Sequence, residues 1–206
     1  MPATHPADTP SAPTTHLLYL HGFRSSPQST KARLMAQALA AHPEVQWWCP
    51  QLPPSPREAA AMIAEGTRDW PDTMAVMGSS LGGFYATWLA QQRPRCRAVL
   101  INPAVHPARD LARHIGEQRG WHDPQSRFFF EPAFIAQLQA LEVGALTAAQ
   151  RLLVFIAQGD EVLDWQEMRA RYPGAQQVIR EGGDHAWGDF AQWLPQVGSF
   201  LGWPWL

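Results

Sequence analysis

Six short apolar runs recur along this chain with helix-length stretches between them, at residues 17–20, 45–49, 73–77, 98–101, 152–156 and 177–179. The plainest is Leu152-Leu153-Val154-Phe155-Ile156, too short for a buried helix and stopped by Gly159. Helical patterns fall at 27–41, 57–68, 81–92 and 165–171, and a closing one at 187–201. Strands of this kind alternating with helices demand right-handed crossovers, which build one parallel sheet covered on both faces. The expected fold class is therefore α/β, a six-stranded parallel sheet with helices on both sides. A polar and aromatic insertion at about 103–150 breaks the alternation and is expected to lie, lid-like, over the site at the carboxyl ends of the strands. In such sheets ligands bind beyond the carboxyl ends of the strands, so chemistry is sought in the residues that follow each run.

Composition narrows the reading further. A chain of 206 residues, 46% hydrophobic and 17% charged, can bury one core of ordinary size and is neither disordered throughout nor collagen-like. Lys plus Arg number 16 against 18 Asp plus Glu, and Lys31 is the only lysine, so no basic surface is expected for nucleic acid or anionic lipid. Residues 1–15, rich in Pro, Ala and Thr, are expected to stay outside the fold as a disordered extension, leaving 16–206 as the domain. No stretch of 18 apolar residues and no signal-like segment occurs, so neither secretion nor a membrane span is expected and the cytoplasm is the default compartment. Cys49 and Cys96 lack CxxC or His spacing and read as buried free thiols; no metal site is expected.

The third run leads into Gly78-Ser79-Ser80-Leu81-Gly82-Gly83, a G-x-S-x-G pattern with Ser80 at its centre. Composition alone would produce such a match in roughly one chain of this kind in twenty. Its context is what carries weight. A serine on a sharp strand-to-helix turn needs Gly78 and Gly82 beside it so that neighbouring backbone does not clash, and Leu81 then opens a helix whose free N–H groups favour a developing oxyanion. Ser80 is thus the candidate nucleophile. Ser79 stands at the wrong spacing.

A serine hydroxyl needs a base, and eight histidines are available. His185 occurs in Glu181-Gly182-Gly183-Asp184-His185, on a glycine-rich loop directly after the last run, and is the candidate base. An acid to orient it should fall between Ser and His in chain order. Gly159-Asp160-Glu161-Val162-Leu163-Asp164 follows the fifth run; Asp160 is the first choice. Asp164 is the alternative acid, although its spacing to Glu167 also suits a helix cap. After the first run, His21-Gly22-Phe23 offers a second oxyanion donor: Gly22 permits close approach, the Phe23 N–H would join that of Leu81, and His21 would support the loop.

With these residues in hand, the chain resembles the α/β-hydrolase superfamily and, within it, the YqiA-like esterase family. The likeness rests on residues 17–23, Pro50-Gln51-Leu52-Pro53-Pro54, residues 78–83, Asn102-Pro103-Ala104-Val105, residues 159–164 and Glu181-Gly182-Gly183-Asp184-His185-Ala186, and spans about 16–202. It implies a minimal hydrolase lacking the first two strands of the full fold. It further implies hydrolysis of small-molecule carboxylic esters or acyl thioesters such as acyl-CoA, with no cofactor. Phe128-Phe129-Phe130, Phe134 and Ile135 then read either as an acyl-chain wall or as packing of the insertion, and Trp187 as a residue of the pocket wall.

Three rival readings stand beside this one. A peptidase or acyltransferase would use the same triad, because a nucleophile turn does not encode the acyl acceptor. A non-catalytic binding protein of the fold would be marked by loss of Ser, His or acid, none of which is lost here. Finally, the tryptophans near the C-terminus, Trp193, Trp203 and Trp205 among them, offer a surface for homo-oligomer contacts.

Overall fold

The computed structural model describes residues 13–123 and 125–206. Its main sheet contains β1 (His16–Leu20), β2 (Gln46–Trp48), β3 (Ala75–Ser79), β4 (Arg97–Ile101), β7 (Leu152–Ala157) and β8 (Gln176–Arg180). All neighbours are parallel, in the order β2-β1-β3-β4-β7-β8. The crossovers are α1 (Thr30–Leu39), α2 (Pro56–Gly66), α3 (Leu81–Gln92) and α6 (Trp165–Arg171), and α7 (Leu194–Leu201) closes the chain.

Alternation along the strands divides the core in two. Leu18, Leu20, Val76, Leu100, Val154 and Ile156 face one side, where α2, α3 and α6 contribute Ile63, Leu89 and Met168. Leu17, Tyr19, Met77, Val99, Leu153 and Phe155 face the other, against Met35 of α1 and Val197 and Leu201 of α7. Successive side chains of a strand point to opposite faces, so strands buried on both sides must be apolar at every position. That is why the runs looked continuous in the sequence. The chain lays β2 on one side of β1 and β3 on the other, and this reversal opens a crevice beyond the carboxyl ends of β1 and β3.

Several expectations are corrected. β3 extends through Gly78 and Ser79, which pair with Leu100 and Ile101, so the strand runs directly into Ser80. No helix forms at 187–189: Trp187 takes a left-handed φ of 51°, a 3-10 turn spans Phe190–Trp193, and α7 starts only at Leu194. The insertion has its own structure, α4 (Pro107–Leu111), an antiparallel hairpin of β5 (Gly116–Arg119) and β6 (Arg127–Phe130), and α5 (Ala133–Ala140). It is tied to the rest of the chain at several points. Arg109 grips Glu167 of α6 through two bonds of 2.7 Å, while Gln137 of α5 accepts from Ser55 Oγ and Arg57 N at the start of α2. The expected cap partner Glu167 is thereby engaged elsewhere.

The expected extension at 1–15 lies, for residues 1–12, outside the described residues. Thr14 is buried, donates its N–H to the Leu201 carbonyl at 3.0 Å and accepts from Trp203 Nε1 at 2.7 Å, so the packed chain includes this residue. Among the described residues no helix is long and apolar enough to cross a membrane.

Candidate active site

Ser80 has φ 57° and ψ −123°, a conformation that side chains disfavour by about 1–3 kcal/mol. Its surroundings explain how the strain is held. The Ser80 N–H donates to the Ile101 carbonyl at 3.0 Å, and the Ser80 carbonyl accepts from Ala104 N at 3.0 Å. A Cβ on Gly78 would stand 2.2 Å from the Gly82 carbonyl oxygen, and one on Gly82 would stand 1.9 Å from that of Leu20. Both glycines are therefore required by close approach of backbone. A Cβ on Gly22 would come within 3.1 Å of Ser80 Cβ and 3.5 Å of Ser80 Oγ, which brings the loop after β1 directly over the serine.

The loop after β8 carries His185, whose Nδ1 lies 2.7 Å from Asp160 Oδ2. The Asp160 side chain has no exposed surface, and its other oxygen accepts the N–H groups of Val162 and Leu163, each at 2.8 Å. A carboxylate only accepts, so Nδ1 is the donor to Asp160, and in the neutral ring this leaves Nε2 as the acceptor. Asp164, the alternative acid, is instead the N-cap of α6 and accepts from Gln166 N at 2.8 Å. The two loops are pressed together at Gly159, whose N–H donates to the Gly182 carbonyl at 2.9 Å and whose added Cβ would meet the Gly183 oxygen at 2.4 Å.

Two partners of His185 escaped the sequence reading. Glu161 Oε2 accepts the His185 backbone N–H at 3.0 Å. Asn102, fully buried beyond β4, donates through Nδ2 to the carbonyls of Asp184 and His185 at 3.0 and 3.2 Å and accepts from Ala157 N at 2.9 Å. One side chain thus joins the β7 end to the His185 loop, next to the residue that holds Ser80. Asn102 stood in the sequence as part of the block Asn102-Pro103-Ala104-Val105, just past a strand and before a proline, with nothing local to pair it with His185.

Among the described residues no hydrogen bond within the protein takes the N–H of Phe23 or Leu81, the two expected oxyanion donors. Leu81 is the first residue of α3, where helical N–H groups have no partner in the helix. His21 is buried with both ring nitrogens occupied: Nδ1 donates to the Gly22 carbonyl at 3.0 Å and Nε2 accepts from Leu52 N at 3.1 Å. Burial pushes its imidazole below the ordinary range, so it stays neutral and braces the loop.

A cleft of about 620 Å³ opens beside these groups, lined by Phe23, Leu81, Tyr85 and Phe128, with Arg24 and Arg127 among its polar residues. The aromatic segment of the insertion splits three ways. Phe128 lines the cleft, Phe129 turns outward, and Phe130 and Phe134 are buried together at a centroid distance of 5.4 Å. Ile135 packs on the same core. Trp187 does not line the cleft: its left-handed backbone turns it into the core against Phe155 and Trp193. Cys49 and Cys96 are free, and burial pushes both thiols up to about 12. Among the described residues no group of three or more His, Cys, Asp or Glu could hold a metal ion.

The model of an uncharacterised protein family, UPF0227, matches residues 16–202, the span over which the sequence blocks resemble the YqiA-like esterases. Among solved structures, α/β hydrolase domain-containing protein 10 from mouse superposes with a TM-score of 0.71 at 14% identity, covering 97% of each chain. A structure of the metagenome-derived lipolytic enzymes LipS and LipT gives 0.68 at 19% identity, covering 93% of this chain and 95% of its own. Est1E from Butyrivibrio proteoclasticus gives 0.63 at 12%, covering 92% and 87%. At these identities the likeness is one of fold, and the fold is that of the α/β hydrolases.

Proposed function

From the premise that this chain belongs to the family UPF0227 and has the α/β-hydrolase fold, we propose that it is a serine hydrolase of small carboxylic esters or acyl thioesters. The observation that carries the proposal is the 2.7 Å contact between His185 Nδ1 and Asp160 Oδ2, made on loops that Asn102 ties to the turn holding Ser80. The esterase reading is further supported by the lipolytic activity named for the LipS and LipT pair.

The reaction proceeds in two halves. Nε2 of His185 takes the Ser80 hydroxyl proton as Oγ attacks the acyl carbon, and the tetrahedral oxyanion forms against the N–H groups of Phe23 and Leu81. Asp160 keeps the imidazole in the right tautomer and stabilises the imidazolium. His185 then gives its proton to the departing alcohol or thiol, leaving an acyl-serine. Water repeats the attack, with His185 as base, and releases the carboxylic acid. The strain at Ser80 is part of the arrangement, since it exposes Oγ at the head of α3.

The lining of the cleft supports this substrate class. Phe23, Phe128, Tyr85 and Leu81 offer apolar surface to an acyl or aryl group, while Arg24, whose guanidinium lies over the Trp121 ring, favours a leaving group that carries phosphates, as acyl-CoA does; Arg127 is paired with Glu117 at 3.0 Å. A fluorophosphonate probe tests the nucleophile: wild type and Ser79→Ala should be labelled and Ser80→Ala should not, by intact mass. A panel of aryl esters and acyl-CoA thioesters of graded length then tests the substrate class. Equal labelling of Ser80→Ala, or turnover of none of the panel by wild type, overturns the proposal.

A further inference from the structure

The only lysine of the chain stands where local rules disfavour it. Lys31 is the second residue of α1, and a cation in the first turn of a helix opposes the helix dipole. It is also half-buried rather than free on the surface. Its ammonium donates to the backbone carbonyl of Ala186, the residue after His185. The charged groups that face it are Asp184, on the same loop as His185, and Asp160, the carboxylate on the His185 ring. A residue that breaks a local rule without serving its own helix points to a role elsewhere.

We propose that Lys31 is a positioning residue for His185, tethering the loop that carries it through the Ala186 carbonyl and setting the charge around the Asp160–His185 pair. The proposal rests on the role given to His185 above. The His185 loop needs a tether because Gly182 and Gly183, at φ 65° and 76°, leave its backbone free to move, while Trp187 just beyond is held in a disfavoured left-handed conformation at φ 51°. Asn102 holds the inner carbonyls of this loop and Lys31 holds the next one outward. The two anchors differ in kind. Asn102 is neutral at every pH, whereas Lys31 brings a positive charge that opposes protonation of the base and that is lost in alkali. Burial pushes the Lys31 amine down to about 8, against the upward pull of the two aspartates, so this charge is lost close to the working range of the site.

Lys31→Met and Lys31→Arg separate positioning from mere packing. In wild type, kcat/KM should fall on an alkaline limb near pH 8. Lys31→Met should lower kcat/KM about tenfold through kcat, with KM little changed, and should move the acidic limb to higher pH because the cation that faces Asp160 and Asp184 is gone. Lys31→Arg, charged at all accessible pH, should recover most of the rate and lose the alkaline limb. The acidic shift is also read without substrate, from the Cε1 proton of His185 by NMR, assigned by its disappearance in His185→Gln. An unmoved His185 titration in Lys31→Met overturns the proposal, whatever happens to the melting temperature. Wild-type protein that turns over no ester, yet shows the shifted titration, would overturn the esterase reading and leave the positioning role standing.

Discussion

Asp160 and Asp164 lie four residues apart on one loop, yet Asp160 bonds the ring of His185 at 2.7 Å and Asp164 bonds the backbone N–H of Gln166 at 2.8 Å. A carboxylate soonest after a strand reaches across the sheet edge to the neighbouring loop. One that follows a further turn arrives at the start of the next helix and caps it.

This division gives opposite expectations for two similar changes. Asp160→Asn should leave the protein folded and lower kcat/KM by about 10⁴-fold, since an amide holds the imidazole in the wrong tautomer and does not stabilise the imidazolium. Asp164→Asn should be mild, because asparagine caps a helix about as well as aspartate. The check is kcat/KM on a short-chain aryl ester together with thermal unfolding. Collapse in Asp164→Asn with a near-normal Asp160→Asn would reverse the two roles.

Gly22→Ala should fold and lose activity. The new methyl would come within 3.1 Å of Ser80 Cβ, so the loop carrying the Phe23 N–H must withdraw by a few tenths of an ångström. Small displacements of an oxyanion donor are felt strongly, and a loss of roughly 10- to 100-fold in kcat/KM is expected. The rate of fluorophosphonate labelling, measured beside the melting temperature, distinguishes this from unfolding; an unchanged rate would remove the loop from the oxyanion site.

The parts of this arrangement that were legible in the sequence are those that local chemistry dictates. Ser80 is marked by Gly78 and Gly82, because a Cβ on Gly78 would run into the first turn of α3 and one on Gly82 would run into the backbone of Leu20 and His21. His185 is marked by glycines after a strand. Asn102 was not legible as a partner of His185, since its contact spans 83 positions and an asparagine before a proline reads as an ordinary turn. Lys31 was hidden for the same reason, its contact with Ala186 spanning 155. Trp187 shows the converse error: two residues from His185 in sequence, it is turned away into the core by its own backbone. The insertion was read as a single block because its short helices and hairpin have too few residues each for periodicity to speak.

Asn102→Ala should cost both stability and rate. It leaves the buried Ala157 N–H without an acceptor, at about 1–3 kcal/mol, which for a domain of this size corresponds to a fall of roughly 2–12 °C in melting temperature. It also frees the carbonyls of Asp184 and His185. At a temperature where the variant is fully folded, kcat should still fall more than KM changes. A variant with reduced melting temperature and wild-type kcat would make Asn102 a purely structural residue.

The burial of Lys31 predicts a pH dependence of stability that can be isolated by difference. Its amine is held at about 8 in the folded protein, whereas in the unfolded chain it takes the ordinary lysine value of about 10.4. Between these values the unfolded chain binds more protons at this position than the folded one, so unfolding free energy rises with pH across that window. Below pH 8 both states are protonated, and the burial of the charge is a fixed cost to the fold. Lys31→Met carries neither term. Relative to wild type it should be most stable below pH 8, and its advantage should shrink as pH rises from about 8 towards 10. Tyr19, Tyr85 and Tyr172, whose buried hydroxyls are pushed upward, add their own dependence in alkali, but equally in both proteins, so it cancels in the difference. Urea unfolding of the two proteins at pH 7, 8, 9 and 10 measures it. A difference that stays flat across this range would mean that the amine keeps its ordinary affinity for protons and that the charge facing Asp160 and Asp184 persists throughout.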